Sequence, residues 1–513
     1  MDNENERVVG TSVNERRHFF TQAEGGFERC CEYCEMLKGK SNDVLIKRFT
    51  LADGRKCALV MVDGMCNKST VERGIVLSSR RFSSESTENK FDPEDGLLQQ
   101  FASIEYSRTD DLLQGYITAL TGDVLMIFEG LEYGYNLGYR EIPSRTVNES
   151  PNEGVVRGPH EAFTENLRTN TALIRRRISD PNMVIEHLRV GRRSHTTVAL
   201  CYIRGLTNSE LVDEARSRIN SIDIDIINDS GELAQLLEEN PSSLFPQCDG
   251  SERSDTVANE LCSGRVAIIV NGSPQALLIP ATLSRLMRVN EDDYQRWSYA
   301  SFIKVLRWAA LGIAALAPAA YVAVISYHPG LLPTDLLLIT AANRANVPFS
   351  ALCEVLIMEF VLELLREAGI RLPRSIGTSL SIVGGLIIGD AAINAGLISP
   401  LLVIVIGLSA LASLTMPSYA LESSFRLIKY MLLFFASVLG LPGLTAGVVI
   451  SVTMMVNTRS FGTDFTAPFA PMWKRGMMNG LLELPMRFRS RRPAYLGTDD
   501  SIRIGGEDGQ SRG

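Results

Sequence analysis

The rear of this sequence has little charge. Residues 301–513 hold 17 Lys+Arg and 13 Asp+Glu, whereas residues 1–300 hold 34 and 46. Most of the rear charges sit at the ends of apolar runs. That disfavours a soluble enzyme and points to a soluble acidic front joined to a membrane-embedded rear. A basic domain is also missing. The net charge is −8, and nothing is present to neutralise a phosphate backbone, so nucleic-acid binding is excluded. A disulfide framework is absent too, because nine Cys is an odd number and their spacing is irregular. Cys30, Cys31 and Cys34 form one C-C-x-x-C cluster. A zinc site needs a second pair of ligands, and none lies nearby at ligand spacing. These are expected to be reduced thiols near a mobile N-terminus, and no metal or cofactor is expected. The first 40 residues lack the apolar core of a signal peptide, which places the front on the cytoplasmic side.

Catalytic signatures are missing as well. His160, His187 and His195 show neither triad nor metal spacing. No G-x-G-x-x-G or G-x-x-x-x-G-K-[ST] follows the strand-like runs, which rejects a nucleotide loop. These absences weigh further against a soluble enzyme.

What is present in the front is a repeat. Ala58–Asn67 and Ala199–Asn208 share A-L-x-x-[VI]-x-G-[ML]-x-N at offset 141. Gly122–Gly130 and Gly264–Gly272 match at offset 142. Two matches in one order at nearly one offset imply a duplicated α/β unit. Each unit reads strand, glycine turn, helix, helix, strand, with Asn67 or Asn208 capping the next helix. Leu211, Ala215 and Ile219 share one face of a helix over 209–220. Ile222, Ile224 and Ile226 alternate with Asp223 and Asp225, which predicts a strand with one wet face. A helix over Asn166–Ile178 ends in Arg175, Arg176 and Arg177. These point to three sides of the helix and are expected to be solvated.

The rear reads as four spans and a hairpin. The spans are Val305–Tyr327 with Pro318, Ser350–Leu365, Ile376–Leu397 and Pro400–Met416. Tyr430–Val456 is broken at Gly440-Leu441-Pro442-Gly443 and reads as two short helices or a re-entrant hairpin. Arg285, Arg288, Arg296, Lys304 and Arg307 stand before or at the start of the first span, and Arg426 and Lys429 mark a later boundary. This distribution of cations places both termini inside. The domains are then a polar tail 1–44, α/β subdomain 1 over 45–150, a linker 151–184, α/β subdomain 2 over 185–300, an all-α multi-span transmembrane domain 301–480 and a basic tail 481–513.

Charges within the bilayer are the candidate functional residues, since each costs at least ~2.5 kcal/mol at a helix centre unless paired or wetted. They are Glu354, Glu359, Glu363, Arg366 and Asp390. At about 100° per residue, Glu359, Glu363, Arg366 and Glu367 share one face and Glu354 lies on another. Two readings stay open. One is a packed helix with Glu363–Arg366 as a local pair. The other is a face lining a polar cation path.

Further motifs carry a resemblance. They are Val155-Val156-Arg157-Gly158-Pro159 with Phe163-Thr164-Glu165, Asn170 and Leu173–Ile178, then Val347-Pro348-Phe349 and Met358-Glu359. Leu365–Pro373, Ser381–Gly389, Ser399-Pro400 and Arg459-Ser460-Phe461-Gly462 complete the set. Over roughly residues 45–480 the chain resembles the A subunit of GerA-type spore germinant receptors. The resemblance implies a two-part cytosolic α/β domain before a helical membrane domain. It marks Arg157, Gly158, Pro159, Glu165, Asn170, Pro348 and Pro373 as family motif residues. It also implies a receptor subunit of the spore inner membrane, in contact with lipid, forming a homo-oligomer that conducts cations when a nutrient binds. A transporter-like B subunit and a lipoprotein C subunit are the implied partners. The chain departs from the family in Asp390, where Gln is usual, and in Ser350, where Pro is usual. The SpoVAF type, an accessory relative associated with the dipicolinate channel, shares much of this pattern, and Ile142-Pro143-Ser144-Arg145 leaves it open. A secondary transporter is the remaining rival, against which residues 300–460 show no internal repeat. A scaffold that only recruits partners is distinguished from a channel by ion flux.

Overall fold

The structure, a computed structural model, describes residues 20, 25–51, 54–77, 105–141, 153–155, 157–345, 347–371 and 389–503. The front half contains two antiparallel five-stranded sheets. The first holds β1 (Val44–Thr50), β2 (Lys56–Val62), β3 (Tyr106–Thr109), β4 (Val124–Phe128) and β5 (Gly134–Leu137), in the order β1-β2-β4-β5-β3. The second holds β6 (Met183–Val190), β7 (Thr196–Ile203), β8 (Asp249–Ser251), β9 (Val266–Val270) and β10 (Ala276–Ile279), in the order β6-β7-β9-β10-β8.

The two sheets share their register as well as their order. Ala58 faces Ile127 across β2 and β4, and Ala199 faces Ile269 across β7 and β9. These pairs are related by the sequence offsets of 141 and 142. The glycines of the repeated motifs explain why the pattern recurs. Gly64 and Gly205 have φ of +83° and +72°, and Gly130 and Gly272 have +83° and +98°. Each closes a strand in a backbone conformation that a Cβ disfavours. Asn67 and Asn208 cap the helical turns that follow, accepting from the Thr70 and Glu210 amides at 3.0 and 2.9 Å.

Each sheet is covered on both faces, so its central strands are continuously apolar instead of alternating. Helices α1 (Gly26–Lys38) and α2 (Leu112–Leu120) cover Ala58, Val60, Leu125 and Ile127. The opposite face of that sheet, with Cys57, Leu59, Met126 and Phe128, packs under Leu51, Val71 and Ile75. In the second sheet, α3 (Leu167–Arg177) and α6 (Ser254–Cys262) cover one face, and α4 (Ser209–Ser221) and α5 (Ser230–Leu237) cover the other.

Three expectations change here. Helix α1 lies inside the stretch read as a polar tail. Phe27, Cys30, Cys31, Cys34 and Leu37 form its buried face, so the thiols are core side chains. Residues 222–226 form no strand, because the Ile224 and Asp225 carbonyls accept from Arg192 and Arg193 in the β6–β7 turn and no ladder forms. Arg175 is not solvated. Its guanidinium is buried between the two sheets, with Nε and Nη2 donating to Asp43 at 2.9 and 3.1 Å and Nη2 donating to the Met183 carbonyl at 3.0 Å. Beside it, Asn42 N donates to the Ile185 carbonyl, and His187 N donates to the Asn42 side chain, both at 2.8 Å. The segment before β1 thereby joins the edge of β6.

The rear half is helical. Helix α7 (Trp297–Tyr327) runs 31 residues through Pro318. It is followed by α8 (Thr334–Arg344), α9 (Ala351–Arg371), α10 (Pro400–Ser413), α11 (Tyr419–Leu439), α12 (Leu441–Asn457) and α13 (Lys474–Leu481). Pro318 has no N–H to give to the Ala314 carbonyl. The Ser409 hydroxyl of α10 donates to that carbonyl instead, at 2.9 Å, which is how a helix keeps a proline in an apolar setting. The break at Gly440 is present, with φ +66° separating α11 from α12.

Among the described residues, α7 is the one helix long and apolar enough to cross a membrane, while α10 and α12 are apolar but have 14 and 17 residues. Most of the span expected at 376–397, together with Arg374 and Ile142–Arg145, lies outside the described residues. The cations read as an inside signature are mostly paired. Arg285 meets Glu260 at 3.0 Å, Arg288 meets Asp293 at 2.6 Å, Lys304 meets Glu483 at 3.0 Å and Arg307 meets Asp292 at 2.6 Å. Arg426 and Lys429 lie within α11 and pair with Glu363 and Glu359 of α9. The stretch read as a basic tail folds back, with Asp499 N donating to the Leu206 carbonyl at 3.1 Å.

Breaking the Arg175 pair should cost about 3–5 kcal/mol in Asp43→Ala, because a buried charge loses its partner. The double variant Asp43→Ala with Arg175→Met should recover most of that loss, as read from denaturant midpoints. Burial pushes the Cys31 thiol from 9.0 up to about 11, and burial likewise raises Cys34 above its usual range. A folded-state pKa raised in this way gives stability that is full below 9.0 and is lost as pH rises through about 11. Cys31→Ala should flatten that part of the pH–stability curve. In the native wild type, Cys31 and Cys34 should resist alkylation until denaturant is added.

Candidate functional site: charged rungs between two helices

The spacing of charges on α9 and α11 builds a ladder. On α9, Glu359, Glu363 and Arg366 recur at helical spacing along one face, and on α11 Glu422, Arg426 and Lys429 do the same. The helices run antiparallel at this face. Glu359 accepts from Lys429 at 2.5 Å, Glu363 from Arg426 at 3.3 Å, and Arg366 lies 3.9 Å from Glu422. Pairs within each helix brace the rungs, with Glu363–Arg366 at 3.2 Å and Glu422–Arg426 at 3.1 Å. Three acids meet three bases, so the cluster is neutral within one chain.

The rungs differ in depth. The Glu359 and Lys429 side chains are 4% and 11% exposed, while Glu363 is 31% exposed. The ladder is therefore sealed at the Glu359 rung, while Glu363 on the middle rung and Arg366 at the far end are partly exposed. This arrangement supplies the partners that the single helix could not show. Within one chain, Glu359 and Glu363 are members of a neutral network, Glu359 buried and Glu363 partly exposed.

Glu354 is elsewhere, as its helical angle requires. It is fully buried, lies 3.1 Å from Arg344 and accepts from the Ser399 amide at 3.1 Å. Ser399 is the N-cap of α10, where a carboxylate meets the positive end of the helix. The Ser399 hydroxyl also lies 2.9 Å from the Tyr321 hydroxyl, so this acid gathers α7, α8, α9 and α10. Asp390 is brought to neither group. It is exposed on a short helical turn and accepts from Asn394 at 3.1 Å.

The linker motif residues separate into several roles. Gly158 has φ +131°, and a Cβ there would meet the Tyr294 ring at 2.7 Å. The Pro159 carbonyl accepts from Arg253 at 3.0 Å, and Arg253 is itself paired with Asp255, which also accepts from the Tyr294 hydroxyl at 2.7 Å. The linker is thus seated beside the turn that leads into α7. Asn170 is buried and bonds both backbone groups of Thr164, accepting at 2.7 Å and donating at 2.5 Å. The Glu165 carbonyl accepts from Gly272 at 2.8 Å while its side chain is exposed. Arg157 and Pro348 are exposed. Pro373 lies outside the described residues.

Sequence reasoning missed Glu422, Arg426 and Lys429. The signal that would have found them is their helical spacing, which mirrors the spacing of opposite charges on α9. Among the described residues no group of three or more His, Cys, Asp or Glu could hold a metal ion.

The family model described as Bacillus/Clostridium GerA spore germination protein matches residues 32–495, and the chain belongs to that family. It is similar to Spore germination protein B1 of Bacillus subtilis (strain 168), 34% identical over 466 residues that cover 91% of this chain and 96% of that protein. Spore germination protein KA of the same organism is 34% identical over 471 residues, 91% of this chain and 86% of that protein. A relative named as an uncharacterized membrane protein, YfkQ, also from Bacillus subtilis (strain 168), is 33% identical over 462 residues, 90% of each chain. The crystal structure of the N-terminal domain of the A subunit of the Bacillus megaterium spore germinant receptor GerK3 matches 52% of this chain and 98% of that chain. Its identity is 26% and its TM-score 0.41.

If the deepest rung is structural, Lys429→Met strands Glu359 in an apolar setting at a cost of about 3–5 kcal/mol. The amount of folded subunit should fall, and Lys429→Met with Glu359→Gln should restore it, as measured by quantitative immunoblot and thermal melting.

Proposed function

We propose that this chain is the A subunit of a spore germinant receptor, held in the spore inner membrane by its helical half. It assembles with further copies of itself, with a transporter-like B subunit that senses the nutrient and with a lipoprotein C subunit. The assembly opens as a nutrient-gated cation channel. The observation that carries this reading is the inverted pattern of the helical half. Phe302, Phe360, Ile404, Leu411, Phe434 and Val449 are each more than 60% exposed, while the charges of α9 and α11 turn toward one another. Apolar outside and paired charge inside is the arrangement that lipid favours. Family membership supports the role in germination.

In this reading the candidate acids have different roles. Glu354 and Glu359 hold helices together, so their loss acts first on folding. Asp390 is exposed and outside the ladder, which leaves it available to a path formed between copies. In vesicles containing the purified complex, Asp390→Asn should leave abundance unchanged and slow cation flux by a factor of roughly five, what about 1 kcal/mol of lost ion attraction gives. Glu359→Gln should instead lower flux only in proportion to protein amount. Unaltered flux in Asp390→Asn removes this residue from the path, and absence of flux from wild-type complex with nutrient present overturns the channel reading.

A further inference from the structure

A cavity of about 740 Å³ lies where the second sheet, the first turns of α7 and the C-terminal segment meet. Its electrostatics are one-sided. Ten of its lining side chains are Lys or Arg and two are Glu. Six of the cations are answered by acids, Arg288 and Arg489 sharing Asp293, Lys304 and Arg489 sharing Glu483, Arg265 and Arg285 sharing Glu260, and Arg492 meeting Asp500. Among the described residues no acid pairs with Lys474, Arg487, Arg491 or Arg503. The Arg288 Nε is buried in the wall with no hydrogen-bond partner. Burial, together with the neighbouring Arg288 and Arg489, pushes Arg503 below the ordinary arginine range. The cavity therefore collects more positive charge than the protein neutralises, with Lys474, Arg487 and Arg491 exposed at its mouth and the Arg288 Nε buried in its wall, and such a cluster attracts an anion.

The surroundings indicate which anion. Lys304 stands on α7, the helix long enough to cross a membrane. Trp473, Met478 and Phe488 line the cavity and are 42%, 51% and 74% exposed. An aromatic and apolar rim around a cluster of cations, at the entry of an apolar helix, is the chemistry of a membrane interface. Arginines also match phosphate oxygens through paired N–H groups.

We propose that this cavity is a phosphate-binding site, filled by the headgroup of an anionic phospholipid or by free phosphate. The lipid source rests on the membrane reading above; the phosphate chemistry does not. The site would fasten the α/β half to the membrane surface at the base of α7.

The test uses the full chain in detergent and in vesicles. The probes are phosphatidylglycerol in phosphatidylcholine vesicles, phosphatidylcholine alone, and inorganic phosphate added to detergent-solubilised protein. The variant is Arg487→Gln, Arg491→Gln and Arg503→Gln together. Its control is Arg189→Gln, Arg192→Gln and Arg193→Gln, which removes equal charge from the far end of β6 and β7. Retention of phosphatidylglycerol, measured by native mass spectrometry, should weaken about a hundredfold in the variant, since each such cation is worth roughly a factor of five toward anionic lipid. The control should bind like wild type. Phosphatidylglycerol-specific binding supports the headgroup source, and a raised melting temperature with inorganic phosphate in wild type alone supports the free anion. If the triple variant fails to fold, the exposed pair Arg487→Gln and Arg491→Gln decides, with an expected loss of about twentyfold. Equal binding by variant and wild type, or equal loss in the control, overturns the site. Failure of wild type to enter either vesicle counts against the membrane reading, and the phosphate arm in detergent still decides this one.

Discussion

A charge taken out of water must be met by its opposite, and the junctions of this molecule obey that constraint. Arg175 is 1% exposed and holds Asp43 across the boundary between the sheets. Lys304 and Glu483, 2% and 3% exposed, join α7 to the C-terminal segment. Glu359 and Lys429 join α9 to α11. In each case the partners come from different elements, so neither is satisfied until those elements dock. Hydrophobic burial drives the halves together without choosing an orientation. The paired charges penalise the wrong orientations, because a misplaced element leaves an uncompensated ion behind.

The front half was largely legible from its residues because its constraints are local. A glycine that must adopt positive φ, an asparagine that caps the next turn and a run of β-branched residues recur together in Ala58–Asn67 and Ala199–Asn208. Their common offset exposed the duplication, and the shared strand order and register follow it. The strand expected at 222–226 did not form because alternation alone supplies no pairing partner. The cysteines of α1 were misjudged because a short helix in a polar stretch shows its buried face only when the sheet beneath it is known.

The rear half was less legible because its constraints are distant. Glu359 and Lys429 are 70 residues apart, and Glu363 and Arg426 are 63 apart. Read singly, Arg426 and Lys429 resembled the flank of a span, since cations commonly mark such flanks. Their role depends on which helix lies opposite, and the spacing within α11 tells that only when matched to the opposite charges of α9. Glu354 was separated correctly from the Glu359 face by helical angle alone. Its partners, Arg344 and the start of α10, became visible only with the packing.

The sign order of the ladder acts as a key with one seat. Along α9 the charges read minus, minus, plus, and α11 answers plus, plus, minus. Slide α11 by one turn in one direction, and Glu363 faces Glu422 while Arg366 loses its partner. Slide it in the other direction, and Arg366 faces Arg426 while Glu359 is left alone. Every neighbouring register therefore sets like charges together or abandons one, and a stepwise ratchet of these helices past each other is blocked. Any working motion at this face must separate the rungs by rotation or hinging, starting from the Arg366–Glu422 end and reaching the sealed Glu359 rung last.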